Sequence, residues 1–180
     1  MKLSIRDITQ SGIFTALTAI GAFISIPIGP VPITLQSFFV ILSGMILGSK
    51  KALLSQIAYL LLGLAGLPIF AGFSGGVQTV FKPSFGFLLG YSVAAFVVGK
   101  ITENKENTVV INAAAATAGT LIIYAMGLPY MYYILNIMLA KGLSIAKVLQ
   151  IGMLVFIPGD VLKAVIAAAM GKKLHGRLGQ

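Results

Sequence analysis

Long apolar runs, separated by short polar connections, are the feature that most limits how this chain can fold. Hydrophobic residues make up 58% of the 180 residues and charged residues only 9%, whereas about a quarter of a soluble domain is charged. Several runs approach or exceed about 18 residues, the length typical of a membrane-spanning helix. A soluble fold of this composition would expose a large apolar surface to water. The sequence therefore predicts a single domain over residues 1–180 that is an all-α integral membrane protein.

Glycine, proline and charged residues divide the chain into six predicted transmembrane helices. The first run follows Lys2 and Arg6, as in a signal peptide, but it has no cleavage site, so we interpret it as a retained helix. The second, third and fourth runs are short for a hydrocarbon core of about 30 Å, so neighbouring segments must complete them. The predicted bounds are 8–26, 34–47, 52–67, 85–98 and 109–126, with the sixth helix between 148 and 171.

Pro158 leaves two interpretations of the sixth helix open. A continuous helix over 148–171 would be kinked at this proline. Alternatively, a short outer helix over 144–157 precedes a membrane span that begins at Pro158, because proline suits the first helical turn. Asp160 would then lie in that first turn, where the helix dipole favours a carboxylate.

Lysine and arginine in the connections predict the orientation of the chain in the membrane. With the N-terminus inside, nine of these residues fall in cytoplasmic segments and three in outer segments, in agreement with the positive-inside rule. Both termini are then cytoplasmic, and the outer half of the sixth helix faces the exterior. The inner group is Lys2, Arg6, Lys50, Lys51, Lys100, Lys105, Lys172, Lys173 and Arg177, and the outer group is Lys82, Lys141 and Lys147.

Composition excludes several functional classes. The net charge is +9, but the basic residues do not gather on one amphipathic face, so we expect no nucleic-acid partner. With no cysteine and one histidine, His175, the chain is not expected to bind a metal. It has no nucleophile–base arrangement and no nucleotide motif, so we expect neither an enzyme nor a cofactor. Any use of ATP must then belong to a partner.

Asp160 and Lys163 are the only ionisable residues between Val148 and Gly171. A charge at bilayer depth costs about 2.5–3.5 kcal/mol on insertion scales, so charges inside a span are functional by default. Their spacing places both side chains on one helix face. A cyclic urea or amide ligand would donate its N–H groups to Asp160 and accept from Lys163. A ligand carboxylate on Lys163 is the competing pose, and a purely structural ion pair is the other alternative.

Two further segments on the predicted outer side supply candidate ligand contacts. In the glycine-rich loop before the fourth helix, Phe73, Gly75 and Gly76 are candidates for a lid over the pocket. Thr34 and Gln36, at the start of the second helix, form either a second wall of the pocket or a helix cap. Aromatic side chains would cover the apolar part of the ligand, with Phe70, Phe73 and Phe81 as candidates.

Two other patterns have both a packing and a functional interpretation. Small residues recur at four-residue spacing along the first helix, and Gly12, Ala16 and Ala19 are among them. Such a stripe permits close helix–helix approach, either within this protein or onto a second membrane protein. A group of tyrosines near the outer end of the fifth helix is interpreted as an aromatic belt, and its members are Tyr124, Tyr130, Tyr132 and Tyr133.

Three stretches together resemble the BioY family, the biotin-specific S components of energy-coupling factor (ECF) transporters. They are GPVPITLQ at 29–36, GLAGLPIFAGFSGG at 63–76 and PGDVLK at 158–163. The chain departs from the resemblance before the fourth helix, where Lys82 and Phe85 replace an expected small-residue turn and so alter the expected mouth of the pocket.

The resemblance implies an ECF S-component-like bundle of six helices in the plasma membrane, which captures biotin from outside as the transported ligand. It implies two kinds of partner, a transmembrane coupling protein and two cytoplasmic ATPases. It places the polar ligand contacts on Asp160 and Lys163, and the docking surface for the coupling protein on Gly12, Ala16 and Ala19. An S component for another vitamin and a membrane assembly protein remain the alternative functions.

Overall fold

Helices make up most of this chain, as the apolar runs predict. The computed structural model describes residues 4–103 and 108–178, with side chains in the last helix described as far as Leu174. A short π-helical turn extends the fifth helix, and a second one joins the sixth helix to the seventh. The last two helices therefore follow one another as a single helical stretch. The helices are α1 Ile5–Phe23, α2 Gln36–Leu47, α3 Ser49–Leu64, α4 Phe85–Thr102, α5 Val109–Tyr133, α6 Ile145–Leu149 and α7 Ile157–Leu178.

Three helical stretches within the described residues are long and apolar enough to cross a membrane, namely Phe85–Thr102, Val109–Met138 and Ile145–Leu174. The second helix is equally apolar but has only 12 residues, which gives it a length of about 18 Å. It therefore needs neighbouring segments to complete a hydrocarbon core of about 30 Å. The bundle is an all-α membrane fold with the predicted six helical spans, once α6 and α7 are taken together.

The fourth helix runs through the centre of the bundle, where small residues let its neighbours approach closely. Ala94 and Ala95 of α4 are fully buried. A Cβ atom at Gly44 of α2 would lie 2.8 Å from the carbonyl oxygen of Ala95, and one at Gly99 of α4 would lie 2.3 Å from the amide nitrogen of Ser49. No side chain fits at those separations, so glycine sets the distance from α4 to α2 and to the start of α3.

Two connections at one end of the bundle carry structure of their own. Between α1 and α2, a short antiparallel hairpin pairs β1 Ser25–Ile26 with β2 Ile33–Thr34. Between α3 and α4, the loop folds back through a bridge between Phe70 and Ser74 and then forms a 3₁₀ helix over Val77–Phe81. These connections meet at the end of the bundle where the candidate site lies.

Several predicted helix bounds change in the structure. The first helix ends at Phe23 and not at residue 26, the third lies three residues earlier than predicted, and the fourth continues to Thr102. The fifth helix was predicted to end at residue 126, which is wrong, because α5 continues through Pro129 to Tyr133. Met131 is fully buried beyond that proline, and this packing compensates for the hydrogen bond that proline cannot make. Pro158 lies in the first turn of α7, as in the second interpretation of the last span, but α6, the π turn and α7 follow one another as one helical stretch over Ile145–Leu174.

Candidate ligand-binding site

Asp160 and Lys163 form an ion pair in the first turns of α7. The Nζ atom of Lys163 lies 2.9 Å from Oδ1 of Asp160, and the two side chains are only 11% and 14% exposed. Because α7 begins at Ile157, the carboxylate lies in its first turn, where the helix dipole favours negative charge. Burying two charges is favourable only when further hydrogen bonds satisfy their remaining donors and acceptors.

Hydroxyl groups from two other helices supply those hydrogen bonds. Tyr124 on α5 donates to Oδ2 of Asp160, the oxygen that Lys163 does not contact. Lys163 also donates to Oγ of Ser37 on α2, at 3.2 Å. Both carboxylate oxygens and the ammonium group therefore have partners, and the pair connects α7 with α5 and α2.

The ion pair lines a small inner cavity of about 40 Å³. Polar and apolar side chains alternate around it, the mixture typical of a small-molecule site. The polar members besides the ion pair are Thr34, Ser37, Tyr91 and Tyr124, and the apolar members are Val31, Pro32, Phe87, Ile123 and Phe156.

A larger outer cavity, of about 200 Å³, adjoins the inner one. Four wall residues belong to both, namely Val31, Pro32, Phe87 and Tyr91. The outer cavity is formed by the turn of the hairpin and by the loop between α3 and α4, and its lining includes Gln36, Phe70 and Lys82. We call the two adjoining cavities together the trough; its outer part lies at these connections and its inner part at the ion pair.

A chain of buried hydrogen bonds supports one wall of the trough. Oγ1 of Thr34 donates to Oε1 of Gln36 at 3.1 Å, and Nε2 of Gln36 donates to the hydroxyl of Tyr59 at 2.6 Å. The Tyr59 hydroxyl donates in turn to the carbonyl oxygen of Ile69, at 2.9 Å. This chain joins the hairpin, α2, α3 and the following loop into one rigid unit.

Comparison with known proteins identifies the family of this chain. The sequence profile of the BioY family matches residues 1–180. The chain belongs to the BioY family. It is 43% identical over 169 residues to the biotin transporter BioY of Thermotoga maritima, which covers 94% of this chain and 95% of that protein. It is 36% identical to the biotin transporter BioY of Rhizobium etli, with 94% and 93% covered.

A crystal structure of the same kind of fold is known. The S component for biotin from an ECF-type ABC transporter, solved at 2.1 Å, matches this chain with a TM-score of 0.72 and 30% identity, over 96% of this chain and 92% of that one. The predicted resemblance to the BioY family and the predicted S-component-like bundle are therefore both confirmed.

The predicted contacts of this BioY-family chain separate into two groups. Asp160, Lys163 and Thr34 line the inner cavity, and Gln36 lines the outer one. Thr34 also accepts a hydrogen bond from the backbone nitrogen of Gln36, at 3.3 Å, so the wall and cap interpretations both hold for it. The structure brings these four residues, from β2, α2 and α7, to one trough, together with Phe70.

The glycines of the glycine-rich loop pack on α3 and line neither cavity, although Ala71 and Ser74 of the same loop line the outer one. The amide of Gly76 donates to the carbonyl oxygen of Gly63 at 2.7 Å, and a Cβ atom at Gly75 would lie 2.2 Å from the carbonyl oxygen of Leu67. Phe73 is 68% exposed and stacks on Phe23. The predicted lid contacts Phe73, Gly75 and Gly76 are thus not at the trough in this structure, and neither is Phe81.

Sequence reasoning missed several residues of the trough, chiefly Tyr124. It was assigned to an aromatic belt because the fifth helix was predicted to end at residue 126, and belt tyrosines lie at the ends of spans. Since α5 continues to Tyr133, Tyr124 lies well inside the helix instead. Ser37, Tyr91 and Phe87 carried no comparable signal. Lys82 lines the outer cavity as expected, whereas Phe85 is buried against Tyr130 instead.

The small-residue stripe of α1 divides between two faces. Gly12 and Ala16 lie on the exposed face, and no atom lies within 4 Å of a Cβ built at Gly12. Ala19 packs inside the bundle with Tyr59 and Phe70. Two polar members of the stripe also bond to α3, as Ser11 donates to the carbonyl oxygen of Lys51 and Thr15 to that of Ser55. Gly12 and Ala16 therefore remain candidates for docking, while Ala19 serves internal packing.

Proposed function

We propose that this BioY-family chain binds biotin and presents it for uptake, with Asp160 and Lys163 as the polar contacts. The observation that carries the proposal is the buried ion pair, held by Tyr124 and Ser37 on the wall of the inner cavity. Asp160 accepts hydrogen bonds from the ureido N–H groups, and Lys163 donates to the ureido carbonyl. Hydrogen bonds to charged groups contribute about 1.5–3 kcal/mol each.

The rest of the trough suits the apolar part of biotin. Val31 and Phe87 line both cavities, and Phe70 lines the outer one. These side chains enclose an apolar ring system and an aliphatic chain, whose burial contributes about 25 cal/mol per Å².

Transport requires partners, and we propose that this chain is an S component in the plasma membrane with both termini in the cytoplasm. An ECF coupling protein and two cytoplasmic ATPases supply the movement. The exposed Gly12 and Ala16 of α1 support docking of the coupling protein, because small residues permit close contact between helices.

Equilibrium binding of biotin to the purified, detergent-solubilised protein tests the proposal. We expect tight binding by the parent, and binding at least about a hundredfold weaker by Asp160→Asn and Lys163→Met, each of which removes a charged contact. Lys100→Met is the matched control, because Lys100 and Glu103 form the other ion pair with a three-residue spacing. It should leave biotin affinity unchanged.

Failure of a well-folded parent to bind biotin would reject the ligand. Undiminished binding by both folded variants would reject the site, even if biotin itself is bound. Size-exclusion profiles and thermal melting of each variant separate loss of binding from loss of fold.

A further inference from the structure

Lys82 stands at the opposite end of the trough from the Asp160–Lys163 pair. It lines the outer cavity beside Thr79 and Ser84, and it does not line the inner cavity. Lys82 is exposed to solvent, so it lies at the mouth of the outer cavity. The trough thus carries one cation at its mouth and a neutralised ion pair at its inner end.

No acidic group neutralises Lys82 within the described part of the chain. The ion pairs found there engage Lys51, Lys100 and Lys163 only. The chain has four acidic residues, and Asp160 is already paired with Lys163. The other three belong to the start of α1 or to the connection that follows α4, whereas Lys82 precedes α4; they are Asp7, Glu103 and Glu106.

One hydroxyl group next to Lys82 is also available. Ser74 and Thr79 line the same cavity, but each donates to a backbone carbonyl of its own loop, those of Ala71 and Gly76. Ser84 precedes α4, and its side chain makes no capping hydrogen bond. Within the described residues, the mouth therefore offers an ammonium group and a hydroxyl donor, which together match an anion.

We propose that Lys82, assisted by Ser84, binds the carboxylate of the ligand's side chain, so that this protein selects the free acid over its neutral amide. This inference rests on the proposed function. Biotin carries a cyclic urea at one end and a carboxylate on a flexible chain at the other, which matches the two ends of the trough. The reversed pose would place the carboxylate beside Asp160, where two like charges repel.

The test compares biotin with biotinamide, its neutral amide, in equilibrium binding to the purified full chain. At low ionic strength we expect the parent to prefer biotin by about two- to fivefold, the range for an exposed ion pair. Lys82→Gln should reduce the affinity for biotin by that factor and leave the affinity for biotinamide unchanged. Raising the salt concentration should reduce the preference of the parent, because salt screens exposed charges.

Lys141→Gln is the matched control, since it removes the same charge from an exposed lysine that lines neither cavity. It should keep the preference of the parent. If Lys82→Gln retains the full preference for biotin, the inference is overturned while the proposed function stands. If the folded parent binds neither ligand, both fail. If Lys163→Met removes the preference and Lys82→Gln does not, the carboxylate lies at the inner end and the inference is also overturned.

Discussion

Two ion pairs with the same spacing lie in very different surroundings. Asp160 and Lys163 on α7 approach to 2.9 Å and are 14% and 11% exposed. Lys100 and Glu103, at the end of α4, approach to 2.8 Å, but Lys100 is 60% exposed. Spacing and distance are thus nearly identical, and only burial and neighbours distinguish the pairs.

The neighbours explain what each pair does. Glu103 accepts hydrogen bonds from the amide and the hydroxyl of Ser49, at 3.0 and 2.7 Å, and so holds the start of α3 against the end of α4. Burial opposes its ionisation, but the hydrogen bonds from Lys100 and Ser49 prevail and lower the pKa of Glu103 to about 2. The buried pair instead borders open space. The three-residue spacing therefore gives an ion pair in both places, and only the adjoining cavity makes the buried pair a candidate for ligand binding.

The largest expected effect comes from breaking the buried pair on one side only. Asp160→Leu leaves the Lys163 ammonium buried without its carboxylate, which should lower the free energy of unfolding by about 3–5 kcal/mol. Asp160→Leu combined with Lys163→Met should recover most of that stability, yet neither variant should bind biotin. Thermal melting in detergent and equilibrium binding measure the two effects. If Asp160→Leu is as stable as Lys100→Met, the Asp160 carboxylate does not compensate the buried charge of Lys163.

Removing one support of the buried pair should have a smaller effect. Tyr124→Phe deletes the hydroxyl that donates to Asp160, a hydrogen bond to a charged group worth about 1.5–3 kcal/mol. We expect a lower melting temperature and weaker biotin binding, with a loss less than that of Asp160→Asn. Tyr132→Phe, on the same helix and partly exposed, is the control and should match the parent. Equal behaviour of the two variants would mean that Tyr124 does not position the carboxylate.

The exposed pair should matter for stability alone. Glu103→Gln weakens the hydrogen bonds to Ser49 and should lower the free energy of unfolding by about 1 kcal/mol, as loss of a helix cap does. Lys100→Met removes only the exposed ion pair and should cost less, about 0–1 kcal/mol. Biotin affinity should be unchanged in both variants. A reduced affinity in either would contradict the contrast between an ion pair that serves stability alone and one that serves binding.

The smallest expected effect is the pH dependence of the stability that Glu103 contributes, measured as a change in melting temperature. The pKa of Glu103 is about 2 in the folded protein, below its ordinary value of 4.5. Its stabilising contribution is therefore complete above about pH 4.5 and is lost as the pH falls toward 2. The difference in melting temperature between the parent and Glu103→Gln should shrink over that window. A difference that stays constant from pH 6 to pH 3 would show that ionised Glu103 does not hold α3.

The sequence was sufficient for the membrane class, the six spans and the buried pair, because each rests on local pattern. Apolar run length decides the spans, and a charge within such a run stands out without any knowledge of its neighbours. The position of Pro158 in a first helical turn was one of the two interpretations that its chemistry allowed.

What could not be predicted depends on contacts between distant segments. In the sequence, Gly75 and Gly76 are equally compatible with a lid over a pocket and with tight packing on α3. The structure contains the tight packing. The continuation of α5 past Pro129 depends on burial of Met131 by other helices. Tyr124 meets Asp160 only because α5 packs on α7, and no local pattern contains that information.

The hydrogen-bond chain through Gln36 has a fixed direction. The carbonyl of Ile69 can only accept, so it takes the one proton of Tyr59, and the Gln36 amide must in turn donate to the tyrosine oxygen. Oε1 of Gln36 then takes the proton of Thr34. Thr34 therefore has no proton left to donate, and its oxygen faces the inner cavity as an acceptor. A ring with N–H groups can donate to that oxygen, whereas a ring that offers only carbonyl oxygens cannot.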